Sequence, residues 1–440
     1  MLQKNNKKIV SAWKFYDWAN SVHSLVIASA IFPIYYGAVT TAKSGEPIKF
    51  MGFHPESAFN FSLAICFFVV ILLSPVLSSV ADTIGNKKKF LQFFCYLGSL
   101  SCMAMFFFTA DKVWLGLLLN ILAGIGYWGS MVFYNAYLPE IVTEDKIDKT
   151  SAQGFMVGYI GSVILLVICL ILIQVIGQDN PGLYTRISFV LVGIWWMSCA
   201  QYTFKHLPVN IYNKKIPKNI IKSSFAELYK TWNQLRQISH LRIFLGSFFF
   251  YSLGMQTIFL VAALFGQKEI GLTTDKLIMT ILLIQIEAIL GAWLFSFLSG
   301  KIGNRNTLLI GIFIWVFVCI LGYTINRESP SVEMQFYIMA GLVGLVMGGI
   351  QALSRSTYAK LLPPTEDHTT FFSFYDVYEK VALCLGLFIF GLIIELTDGM
   401  KVSALAMGFS FVISFIIMCF LKMKNQSKDE GEIPISNIET

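Results

Sequence analysis

Ile84-Gly85-Asn86-Lys87 returns almost half a chain later as Ile302-Gly303-Asn304-Arg305. Each copy sits in a short basic loop between two long apolar runs of a 440-residue chain. A repeat at half the chain length, placed between such runs, predicts a duplicated membrane bundle with two related halves.

The runs on either side of these loops extend the pattern. A helix needs about 20 mostly apolar residues to cross a bilayer. Twelve candidates meet this requirement, near 18–38, 58–80, 90–110, 113–137, 153–176, 184–203, 243–265, 277–299, 306–324, 334–357, 374–396 and 402–421. The expected architecture is an all-α polytopic membrane protein of two pseudo-symmetric six-helix bundles, 1–203 and 243–421. A linker at 204–242 joins them, and a polar, disordered tail follows at 422–440. Composition agrees, with 13% charged and 56% hydrophobic residues, 39 Phe and a mean hydropathy of +0.66. A water-soluble chain carries about 25% charged residues.

Charge sets the expected orientation. With the N-terminus inside, the inner segments hold 24 Lys and Arg and the outer ones 8. That bias places both termini in the cytoplasm. It also accounts for the net charge of +7 without nucleic acid, because no basic groove with interleaved aromatics appears. All eight cysteines lie in apolar runs, which predicts neither a disulfide framework nor a metal site. No cofactor-cradling or hydrolase motif is present and the five histidines are dispersed, so an enzyme is not expected. The linker reads as an amphipathic helix on the membrane face. Ser224 and Glu227 form its expected capping box, and Ile221, Phe225, Leu228, Trp232 and Leu235 its apolar stripe.

Four stretches carry a resemblance, one to a superfamily and three to a branch of it. Ser78-Ser79-Val80-Ala81-Asp82-Thr83-Ile84-Gly85-Asn86-Lys87-Lys88 resembles the cytoplasmic loop signature of the major facilitator superfamily, with Ser78 in place of the leading glycine. In the second copy Gly300 stands where Asp82 would be. Phe15-Tyr16-Asp17-Trp18-Ala19-Asn20-Ser21, followed by Phe32-Pro33-Ile34-Tyr35-Tyr36, resembles the vacuole effluxer-like branch of that superfamily, which includes autophagy-related vacuolar amino-acid exporters. Tyr134-Asn135-Ala136-Tyr137-Leu138-Pro139-Glu140 and Gly348-Gly349-Ile350-Gln351-Ala352-Leu353-Ser354-Arg355-Ser356, leading to Phe371-Phe372-Ser373, fit the same branch. The resemblance implies a twelve-helix transporter and, by extension, amino-acid efflux.

Individual residues then acquire expected roles. Asp17 begins span one at the cytoplasmic interface, and Asn20 and His23 continue a polar stripe inward, as a solute path or as interfacial anchoring requires. An ionisable group in the membrane is costly, at least ~2.5–3.5 kcal/mol, so those in the spans are candidates for function. Glu287 in mid-span eight is read as a cleft-facing carboxyl suited to proton coupling. Gln351 and Glu379 join the path. Gly254-Met255-Gln256 is expected to loosen span seven and so present Gln256. Asp376, Glu379 and Lys380 cluster at the inner end of span eleven, which also suits an interfacial salt bridge. Gating is assigned to Asp82, Lys87, Lys88, Glu140 and Arg355, with Glu140 opposite Arg355 across the pseudo-twofold.

Together these point to a secondary transporter of a small polar solute, foremost amino acids, working by alternating access and exporting with or without protons. The short loops suggest a bacterial inner membrane. A transporter-like receptor or scaffold acting through the central loop is the alternative.

Overall fold

The computed structural model describes residues 3–41, 53–209, 211–212, 217–397 and 400–422. Most of the outer loop between spans one and two, part of the linker and the tail from 423 lie outside these residues. Twelve helices are long and apolar enough to cross a membrane. Spans one to six are Lys7–Val39, Ser57–Ile84, Lys87–Phe107, Ala110–Ile141, Glu144–Ile176 and Pro181–His206. Spans seven to twelve are Ser239–Ala262, Lys276–Ile302, Asn304–Thr324, Val332–Leu361, His368–Thr397 and Met400–Cys419. Large side chains on the outside are apolar all round, including Phe68, Phe313, Phe388 and Phe409, each more than 60% exposed. Such a continuous apolar surface requires lipid. The protein is therefore integral and multi-pass.

Several helices begin earlier than their apolar runs. Span one starts at Lys7, where the Asn6 side chain accepts hydrogen bonds from the amides of Lys8 and Ile9. Asp17 is thus a buried residue in the helix interior and does not begin the helix. Spans five and eleven likewise start at Glu144 and His368. The first turn of span eleven, at His368, Thr369 and Thr370, is buried, whereas those of spans one and five, at Lys7 and Lys8 and at Glu144, Asp145 and Lys146, are exposed and polar, so hydropathy does not count them as part of a span. Within span one the backbone bonding widens to π-type from His23 to Ile31.

Glycines set the helix spacing. A Cβ on Gly344 of span ten would lie 2.8 Å from the Ile284 Cα of span eight, and one on Gly348 would lie 2.7 Å from the Ala288 Cα. In the first half Gly126 of span four instead abuts span three, where its Cβ would lie 2.7 Å from the Phe94 carbonyl. The duplicated glycine-rich segments therefore serve different neighbours. Span seven is continuous from Ser239 to Phe265, so Gly254 does not break it. Gly254 instead admits the Phe411 ring, 2.7 Å from where its Cβ would be.

The linker helix is Ile220–Gln237, and Asn219 caps it. This overturns the capping box at Ser224 and Glu227: the helix begins a turn earlier, and Ser224 is an interior, buried residue. Ser224 Oγ donates to Thr83 Oγ1 at 3.2 Å, and its carbonyl accepts from Ser79 Oγ at 2.5 Å. Trp232 packs its ring, tilted, against Phe374 of span eleven at 5.6 Å. Ile221, Phe225 and Tyr229 stay exposed.

Candidate functional site

Polar contacts tie both ends of the described chain to one face. Asn5 donates its amide to the Ile141 carbonyl, and Arg305 donates to the Met418 and Cys419 carbonyls. On this termini face the two sets of helices meet through charged side chains, layer upon layer.

The outermost layer holds both repeat loops. Asp82 accepts from the Thr370 amide at 2.7 Å and from its hydroxyl at 2.8 Å, so a carboxylate of span two caps the start of span eleven. Lys87 is ion-paired to Glu140 and lies over the Tyr137 ring. His368 Nδ1 lies 3.3 Å from Glu140 Oε1, which brings span eleven to the same carboxylate. Lys88 donates to the Leu207 carbonyl at 3.0 Å. Tyr212 of the linker lies 3.3 Å from His368 Nδ1. Burial and the nearby Glu140 push the Tyr212 phenol up. Burial and the Asp367 carboxyl push Glu227 of the linker helix up to about 7.

The second loop compensates for its missing acid. Asp148 of span five takes a hydrogen bond from Asn304 at 2.9 Å and an ion pair from Lys360 at 2.5 Å. The carboxylate absent from Gly300 is thus supplied by the other half of the molecule.

One level deeper lies a single buried ion pair. Arg355 Nη1 and Nη2 both approach Asp17 Oδ2 at 3.3 Å. Tyr134 donates its hydroxyl to the same oxygen at 2.7 Å. Arg355 also donates to Ser151 Oγ at 2.9 Å, to the Ser151 carbonyl at 2.8 Å and to Asn135 Oδ1 at 3.3 Å. Its guanidinium faces the Phe155 ring at 4.2 Å and the Trp13 ring at 4.8 Å. Gly154 gives the pair its space, since a Cβ there would lie 3.0 Å from Arg355 Nη2. The expected pairing of Arg355 with Glu140 is therefore replaced. Span ten runs on to Leu361, which sets Arg355 a turn and a half inside the helix end and level with Asp17.

Deeper again, Lys380 Nζ contacts Asp376 Oδ1 at 2.8 Å and Glu379 Oε2 at 2.7 Å. It sits 3.6 Å from the centroid of Trp128, across the boundary between halves. Gln256 donates to Glu379 Oε1 at 2.8 Å. Tyr159 donates to Gln351 Oε1 at 2.8 Å, again between halves. Lys380 is fully buried, so this cluster belongs to the interior and not to the interface. At 1.5 Å per residue it lies about 18 Å from the start of span eleven.

The remaining candidates are scattered. Asn20 is buried and donates to the Met131 sulfur at 3.0 Å. His23 is buried and stacks on Tyr127 at 4.9 Å. Glu287 stands apart from all three layers. It is half-buried, beside Gly341, with no hydrogen-bond partner among the described residues. An apolar cavity lined by Ile284, Val318, Phe336 and Met339 lies within spans seven to twelve and has no charged wall.

Sequence reading did not single out Tyr134, Ser151, Tyr159, Asp148, Lys360 or Trp128 as site residues. Tyr134 had a signal, since it opens one of the three stretches of family resemblance. Those stretches supply Asp17, Tyr134, Asn135 and Arg355, which the fold gathers around one carboxylate. Asp148 and Lys360 had none, because a charge beyond the end of an apolar run does not reveal a partner in the other half.

Known proteins agree with this architecture. The family described as "Vacuole effluxer Atg22 like" matches residues 5–431. The uncharacterized MFS-type transporter YxiO of Bacillus subtilis (strain 168) is 32% identical, over 99% of this chain and 100% of that protein. Autophagy-related protein 22 of Saccharomyces cerevisiae (strain ATCC 204508 / S288c) is 24% identical, over 85% of this chain and 79% of its own. The human organic anion transporter MFSD10 superposes with a TM-score of 0.70 over 94% of this chain and 100% of that structure, at 12% identity, which speaks for the fold alone. The chain belongs to the Atg22-like vacuole effluxer family, within the major facilitator transporters.

Proposed function

We propose that this protein is a secondary active transporter that exports a small polar solute, foremost amino acids, by alternating access. The observation that carries the reading is the layered set of inter-half contacts. Among the described residues, every hydrogen bond and ion pair joining spans one to six with spans seven to twelve lies within about 22 Å of the termini face. Rocking of 1–203 against 243–421, with 204–242 as the connection, breaks these contacts as a set and opens that face.

In this reading the termini face is cytoplasmic, as the Lys and Arg bias argues, and the membrane is the bacterial inner membrane. Asp82, Lys87, Lys88, Glu140 and Arg355 gate that face. Asp17, Asn20, His23, Gln256, Gln351 and Glu379 border the solute path. Glu287 carries the coupling proton, supported by its unpartnered carboxyl at the edge of span ten. Efflux draws support from the family's description. Amino acids draw support from acidic and basic groups side by side in the deepest layer, which match a zwitterion.

Reconstituted vesicles test the reading by counterflow of labelled amino acids, with sugars and dipeptides as comparison. Saturable amino-acid counterflow is expected. Counterflow of another class alone discards the cargo assignment. Glu287→Gln is expected to lose uptake driven by a pH gradient while keeping counterflow. Wild-type pH dependence in that variant removes Glu287 from coupling.

The exposed stripe of Ile221, Phe225 and Tyr229 favours one second reading, a scaffold acting through the linker. It predicts that deleting 210–235 abolishes function with solute flux unchanged.

A further inference from the structure

The surroundings of Lys380 make up a complete receptor for a primary ammonium. Two carboxyl oxygens, Asp376 Oδ1 and Glu379 Oε2, lie 2.8 and 2.7 Å from its nitrogen, and the Trp128 ring faces it at 3.6 Å. Carboxylates and an aromatic face are the groups that bind organic ammonium ions. Gln256 holds Glu379 in place from span seven. Asp376 Oδ2 is buried and has no hydrogen-bond partner, in a residue only 6% exposed. A buried carboxyl oxygen without a donor is costly, so this cage has one more acceptor than Lys380 satisfies. Two carboxyl groups also face a single ammonium here. The cage draws on spans four, seven and eleven, and so on both halves.

We propose that this cage is the ammonium subsite of the transporter, with Lys380 as its built-in occupant when the termini face is closed. The solute's own ammonium displaces Lys380 from Trp128 and takes up Asp376 Oδ2. The freed lysine, on its flexible four-carbon stem, then faces the solute's carboxylate. The ligand class is a primary-amine zwitterion. The inference rests on the transporter reading and deepens it to a chemical group.

The test is thermal stabilisation of purified full-length protein by three probes: leucine, isoamylamine (leucine without its carboxylate) and 4-methylpentanoate (leucine without its ammonium). Lys380→Met empties the cage of its occupant. Its half-saturating isoamylamine concentration is expected to fall at least tenfold below that of wild type. Asp376→Asn keeps Lys380 paired to Glu379, and is expected to lose stabilisation by both leucine and isoamylamine.

The proposal is overturned if 4-methylpentanoate alone stabilises wild type and Lys380→Met abolishes that effect, because Lys380 is then an anion site. It is also overturned if folded Lys380→Met gains no affinity for the amine. If Lys380→Met does not fold, Asp376→Asn decides, and an unchanged leucine and amine response overturns the proposal. Counterflow separates the two readings. Amine capture by Lys380→Met without amino-acid counterflow keeps the cage and removes the cargo. Counterflow without any amine effect keeps the cargo and removes the cage.

Discussion

In the proposed function, Arg355 is the residue on which the closed face turns. Its guanidinium spends its donors on Asp17, Ser151 and Asn135, all from the other half. Both members of the ion pair are buried, at 2% and 3% side-chain exposure. Removing one partner of a buried pair costs about 3–5 kcal/mol, because the other charge stays behind without compensation. Arg355→Ala is thus expected to shift the balance away from the closed form by roughly a hundredfold or more. Ala352→Cys, at the buried contact with Ser151, reports it in a background without native cysteines. Maleimide labelling from the termini side should rise in Arg355→Ala. It should fall back toward wild type when Asp17→Asn is added, since no lone charge then remains. Unchanged labelling in the single variant denies Arg355 a closing role. Arg355→Lys keeps the charge but cannot reproduce the planar fork, and should fall between the two.

Helices are fitted to one another by backbone contact at a few glycines. Spans eight and ten approach so closely that a methyl group on Gly344 meets the backbone of Ile284, which no rotamer change can relieve. Gly344→Ala is expected to cost about 1–3 kcal/mol by overpacking. Gly300, near the end of span eight, has nothing within 4 Å of its missing Cβ. There Ala restores helix propensity, and Gly300→Ala is expected to raise stability by up to about 1 kcal/mol. Thermal unfolding of the two variants in one detergent checks the contrast, and equal shifts contradict the packing account. The repeat loops themselves have diverged. Gly85 is left-handed, with φ 67° and ψ 23°, and Asn86 caps the next helix. Gly303 has φ 80° but an extended ψ of 157°, and Asn304 turns inward to Asp148. The same tetrapeptide pattern therefore serves a helix cap in one half and an inter-half latch in the other.

On the scale of the molecule, two acidic latches hold the halves together. Asp82 reaches from the first half to the start of span eleven, and Asp148 reaches from span five to Lys360 and Asn304. The linker helix lies across both halves on that face, on Ser79 and Thr83 of span two and Phe374 of span eleven. A charge swap tests whether closure depends on the sign of the pairing. Asp148→Lys should impair transport several-fold through like-charge repulsion with Lys360. Combining it with Lys360→Asp should recover a substantial part in counterflow. No recovery in the double variant shows that the contact acts through more than its charge, with Asn304 as the next residue to vary.

The amino-acid sequence by itself determined the number of spans, the duplication and the class of machine. A bilayer forces each crossing into one continuous apolar run, and runs and repeats are local properties of a chain. Three short stretches also named the family before any contact was known. Partners were a different matter. Asp17 and Arg355 stand 338 residues apart, and nothing near either one marks the other. Only tertiary structure decided that Arg355 binds Asp17 and not Glu140, that Asp148 replaces the acid missing at Gly300, and that Lys380 rests on Trp128. The start of span eleven at His368 belongs with these, because its polar first turn is held by Asp82 and Glu140 of the first half. A buried charge is stabilised by whatever the fold brings against it, and that is settled in three dimensions.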